Sequence, residues 1–100
     1  MLVVKFQDGT VVFDNVAADT FVKVVEKLGI ERVKALDLRV NNFPLISKQK
    51  SENYTQSPSG AYLVMTHSNT ETKRSLLLKI ADGLNEHLAV EVVPAPSVDA

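Results

Sequence analysis

Apolar and polar positions alternate from the start of the chain. Leu2, Val4 and Phe6 fall on one face of an extended segment, with Val3 and Lys5 on the other. In Thr10–Phe13, Val11 and Phe13 oppose Thr10 and Val12. A period of two predicts strands. Asp8-Gly9 between them predicts a two-residue type I′ turn, because Gly and Asp tolerate the positive φ it needs. Residues 2–14 therefore read as a β-hairpin. The period then changes. Phe21, Val24, Val25 and Leu28 stand at i, i+3, i+4 and i+7, the apolar stripe of a helix. Asp14-Asn15 offers its N-cap and Gly29 its C′ residue. Asp19 in the first turn and Lys27 in the last suit the helix dipole. Residues 30–35 predict a further short helical turn.

Leu36–Val40 alternates again. Asn41-Asn42 predicts a second tight turn, since Asn tolerates positive φ. Phe43–Ser47 is the return strand, and Pro44, which has no N–H, places it on an edge or at a bulge. Residues 47–60 show no apolar period, so they read as a long connection, functional or mobile. Ala61–Thr66 is apolar on both faces and predicts a central strand. His67–Thr70 breaks it. Leu76, Leu77, Ile80, Ala81 and Leu84 form a second helical stripe. Ser68 with Glu71 is a candidate capping box, and Thr70 is the competing cap. Leu88–Val93 is a last strand.

The resulting order, β-β-α-β-β-β-α-β, predicts an α+β two-layer sandwich: a mostly antiparallel sheet with two helices on one face. Residues 10–40 and 61–93 share a plan of strand, polar cap, helix and strand, without being a sequence repeat. At the level of fold alone the plan resembles the βαββαβ ferredoxin-like arrangement with an extra N-terminal strand. Such folds serve many unrelated functions. Residues 1–93 are expected to form one globular domain, with 94–100 a flexible tail.

The composition agrees with a single domain: 100 residues, 45% hydrophobic and 23% charged. Such a chain buries roughly two thirds of the surface it exposes when unfolded, enough for one core. With no cysteine there is no disulfide, thiolate metal site or Cys nucleophile. The formal net charge is −1, which does not provide the basic field of a protein that grips duplex DNA unaided. The N-terminal apolar run turns polar after six residues, too short for a membrane span, so no membrane association and a cytoplasmic location are expected.

Motifs with specific chemistry are missing from the sequence: it has no G-x-S-x-G elbow, P-loop or G-x-G-x-x-G. His67 and His87 lie twenty residues apart, and neither has a second ligand at i+3 or i+4 on a common face, so no metal is called for. No cofactor is implied either. The most suggestive stretch is Thr66–Arg74, where a strand runs into a helix. The free N–H groups of a helix start attract anions, and the hydroxyls of Ser68, Thr70 and Thr72 add donors, with His67 beside them. Lys73 and Arg74 put positive charge in the first turn, where the dipole disfavours it. Local conflicts of that kind are expected at functional sites. Lys48, Lys50 and Tyr54 on the long connection supply the basic and aromatic elements that hold a phosphate backbone and a base. Each feature has an ordinary counterpart. Ser, Thr and Asn cap helices, Lys-Arg faces solvent, and lysines beside an edge strand block sheet-to-sheet pairing.

Two functional readings follow. In the first, the chain is a non-catalytic binding or accessory module. It takes an anionic partner, nucleic acid among them, at the start of the later helix through Lys48, Lys50, Tyr54, His67, Ser68, Thr70, Lys73 and Arg74. The second is a protein–protein or self-assembly domain, using an edge strand or a sheet face left apolar by Leu2, Val4, Val11 and Phe13. An enzymatic reading, with His67 as general base beside Ser68 or Tyr54, lacks an identifiable second catalytic group.

Overall fold

A computed structural model describes residues 1–94 of the chain; the rest of the expected tail, 95–100, lies outside the described residues. Eight short strands and three helices follow one another. β1 (Leu2–Phe6) and β2 (Val11–Phe13) form the expected N-terminal hairpin. α1 (Ala17–Leu28) and α2 (Ile30–Lys34) come next. β3 (Arg39–Val40), β4 (Phe43–Pro44) and β5 (Ile46–Ser47) are two residues each. β6 (Gln56–Ser59) and β7 (Tyr62–Met65) precede α3 (Thr70–Leu84) and β8 (Leu88–Val92).

The α+β class holds, and every strand pair is antiparallel. The pairing, however, gives three small sheets, ordered β2-β1-β8, β3-β4 and β5-β7-β6, rather than one ferredoxin-like sheet. β1 is no peripheral addition: it is the centre of its sheet, between its hairpin partner and the last strand. The segment between α2 and β5 is too irregular to join the sheets. Asp37 adopts a positive φ of 54°, which cuts the expected 36–40 strand down to Arg39–Val40. The return strand is divided at Leu45. Its N–H donates to Leu38 O at 2.8 Å, and its carbonyl accepts from Met65 N at 2.8 Å, so the chain changes sheets at that residue.

Asn41 and Asn42 both have positive φ and join β3 to β4 as a two-residue turn, as their chemistry predicts. β7 is central, also as predicted, but one of its neighbours, β6, falls in the segment without apolar period that predicts a connection. Gln-Ser-Pro-Ser carries no apolar signal, and its proline is tolerated because β6 lies on a sheet edge.

The helical stripes are buried as expected. Phe21, Val24, Val25, Leu77 and Ile80 are inaccessible, packed with Leu2, Val4 and Val64. α1 lies against β1, β2 and β6, and α3 against β8 and α1. The start of α1 differs from expectation. Its N-cap is Val16, with no side-chain cap bond, and Asp14 instead receives the Lys23 ammonium at 2.6 Å. Among the described residues no helix is long and apolar enough to cross a membrane.

Candidate functional site

The passage from β7 into α3 is closed by its own side chains. Asn69, rather than Ser68 or Thr70, is the N-cap, and its Oδ1 accepts from Thr72 N at 2.7 Å. Thr70 is the first helical residue. Lys73 is only 4% exposed. Its ammonium turns back along the helix and donates to Thr66 O at 3.0 Å, to Ser68 O, and to Ser68 Oγ at 3.2 Å. Three donors meet three oxygens. Desolvation pushes the Lys73 pKa below its ordinary value, and no carboxylate pairs with it among the described residues. A buried ammonium held by neutral carbonyls ties the loop to the helix.

The other expected cations do not gather there. Arg74 Nε donates to Val90 O at 3.2 Å, which attaches it to β8. Lys48 Nζ sits 5.3 Å from the centre of the Tyr62 ring, and the Tyr62 hydroxyl donates to Glu31 Oε1 at 2.6 Å, so Lys48 belongs to the side of the molecule formed by α2 and β5. Lys50 is exposed on the 48–55 connection. Gln56 braces that connection, donating to Gln49 O at 3.1 Å and accepting from Ser51 N at 2.8 Å. Tyr54 and His67 do meet, with ring centroids 5.1 Å apart, and His67 Nδ1 lies 3.5 Å from Thr55 Oγ1. The structure thus brings Tyr54, His67, Ser68 and Lys73 to one junction. It does not deliver free positive charge to the start of α3, because the nearest ammonium is consumed by backbone acceptors.

Two open clefts carry charged residues on their walls. One, about 400 Å³, lies between the hairpin tip and the end of α1, where Lys27 pairs with Asp8 at 3.8 Å and Arg32 with Glu86 at 3.4 Å. The other, about 550 Å³, contains Lys48 and Tyr62. Among the described residues no three His, Asp or Glu side chains gather as a metal site.

The surface that stands out is the outer face of the β2-β1-β8 sheet, opposite the helices. The register places Val3 opposite both Phe13 and Glu91, and Lys5 opposite both Val11 and Ala89. These six residues form two rows across three strands on one face. Phe13 is 59% exposed and Val11 48%, with Lys5, Ala89 and Glu91 also open to solvent and Val3 half-buried. Leu2 and Val4, expected to share a face with Val11 and Phe13, are instead fully buried on the helix side.

The hairpin turn explains that division. Phe6 N donates to Thr10 O at 2.8 Å and Gly9 N to Phe6 O at 3.0 Å, so the loop is Gln7-Asp8-Gly9, three residues, with positive φ at Gly9 alone. The type I′ expectation is therefore corrected: Asp8 keeps negative φ and accepts from Thr10 N at 2.9 Å. A two-residue turn would have put Val11 and Phe13 on the face of Val4 and Phe6; one extra residue sends them to the other side. Val3, Lys5, Ala89 and Glu91 were missed because that register is not visible from alternation alone. Comparison with known protein families, with curated proteins and with solved structures finds no match for this chain.

Proposed function

We propose that this protein is a non-catalytic interaction module that docks a protein partner on the outer face of the β2-β1-β8 sheet. The observation that supports this reading is the exposure of Phe13 and Val11 side by side on a regular, uncovered sheet surface. Burying apolar area is worth about 25 cal/mol per Å², so a partner covering these side chains gains free energy that folding of the monomer leaves unused. Contiguous apolar patches rimmed by charge mark association surfaces. An anionic ligand, nucleic acid included, at the start of α3 receives less support, since Lys73 and Arg74 are bound to backbone oxygens.

The test is site-specific photo-crosslinking of the full chain in the cells that make it. A benzoylphenylalanine replacing Phe13 is expected to give one discrete protein adduct, and the same probe replacing Lys79, exposed on α3, to give none. Failure to form an adduct at position 13, or equal labelling at both positions, overturns the reading.

A further inference from the structure

We infer that the partner on this face is a second copy of the same chain, related by a two-fold axis that lies between the two sheets and runs across the strands. This inference rests on the interaction-surface reading above. Its argument is the arrangement of charge. The face carries one cation and one anion, Lys5 in the centre of one row and Glu91 at the end of the other. Neither forms an ion pair with another described residue.

Two such sheets stacked face to face in full overlap, with the axis through the centre of the patch, have two simple two-fold arrangements. With the axis along the strands, each Lys5 lies directly over the other copy's Lys5, and like charges meet. With the axis across the strands the two rows exchange. Phe13 then covers the second copy's Val11, Val3 lies along the stem of its Lys5, and Glu91 covers its Ala89. Each Glu91 now stands one strand, about 4.8 Å sideways, from the other copy's Lys5. The contact is apolar at one end and carries two symmetry-related ion pairs at the other. An isologous interface needs this self-complementarity: the same patch supplies both halves. Only one of the two axes satisfies the charges, so Lys5 and Glu91 set the orientation while Phe13 and Val11 provide the buried area. A face of three short strands is small for an interface, so association is expected to be weak and readily reversible.

Sedimentation of the full chain over roughly 10 to 500 µM tests this, the range suited to a small interface. Wild type is expected to pass from monomer to dimer with concentration, and Phe13→Asp to remain monomeric with unchanged circular dichroism. Lys5→Glu alone and Glu91→Lys alone each place like charges together twice per dimer and are expected to weaken association at least tenfold. Mixed in equal amounts they form a heterodimer in which both pairs are again opposite in sign, and dimer is expected to return. It should vanish once more if either chain also carries Phe13→Asp. A wild-type chain that stays monomeric throughout, or a mixture no more associated than its components, overturns the inference. If the chain is monomeric and the probe at position 13 captures a different protein, only the second copy is excluded; if the probe captures nothing, the interaction surface falls as well.

Discussion

Val3 and Phe13 are direct cross-strand partners on the solvent side of the first sheet. Their pairing results from the three-residue loop at Gln7–Gly9, and it separates two groups of apolar residues that alternation alone would merge. Leu2 supports the core; Phe13 does not. Leu2→Ala is expected to cost about 2–4 kcal/mol, as for a fully buried leucine. Phe13→Ala should change stability by less than about 0.5 kcal/mol, as for a surface site. Urea unfolding of the two variants checks this, and a large loss at Phe13 would show that the register is wrong.

Gly9 holds the loop that sets this register, at a φ of +93° with nothing near its missing Cβ. Space is available, but an L side chain is strained in that conformation. Gly9→Val is expected to destabilise the hairpin by about 1–2 kcal/mol, seen as earlier thermal unfolding with the native spectrum retained below the transition.

Lys73 closes the junction between β7 and α3. Lys73→Met removes the ammonium from Ser68 O and from Thr66 O, of which only the latter keeps another donor, Ser68 N, at a cost of about 1–3 kcal/mol. The pH dependence has a definite sign. Burial lowers the folded-state pKa, so between that value and the unfolded value near 10.5 the unfolded chain holds more protons. The Lys73 contribution to stability therefore rises as pH climbs through this window. The difference in stability between wild type and Lys73→Met should shift in favour of wild type from neutral pH towards 10.5. A difference that is flat with pH would mean the ammonium is not desolvated.

Asn69 rather than its hydroxyl neighbours caps α3. Asn69→Ala is expected to cost about 1 kcal/mol, while Asn69→Asp, which keeps the acceptor, should cost little. Equal losses for both variants in chemical unfolding would remove the capping role.

Acid should remove a stabilising contribution from two amino-terminal carboxylates. The Asp14 carboxyl lies below its ordinary value because the Lys23 ammonium donates to it, with Asn15 N adding a second donor. Asp8 is lowered chiefly by Thr10 N. Each contributes stability that is present above the unfolded carboxylate value of 3.8 and is lost as pH falls through the lower folded value. Asp14→Asn is therefore expected to flatten the decline of stability in that acidic range, measured by thermal unfolding at successive pH values.

Elements whose signal is local are legible in the residues alone. The stripes Phe21–Leu28 and Leu76–Leu84 repeat at helical spacing and are buried as that spacing requires, except for Leu84 at the end of α3, which is half-buried. The Asn41-Asn42 turn follows from the tolerance of Asn for positive φ, and β7 from its apolar run. What lay beyond reach depended on partners distant in the chain. Gln56–Ser59 is a strand only because β7 offers it a ladder. Lys73 is buried only because the chain brings the oxygens of Thr66 and Ser68 over the first turns of α3. Lys48 and Arg74 are held by Tyr62 and Val90 rather than by a common ligand. The open face on which the proposed function rests joins positions 3–5, 11–13 and 89–91 through a register that one loop residue decides. Periodicity reports which side of an element is apolar. Which neighbour covers that side is settled by long-range hydrogen bonding and packing, and those exist only once the chain has closed on itself.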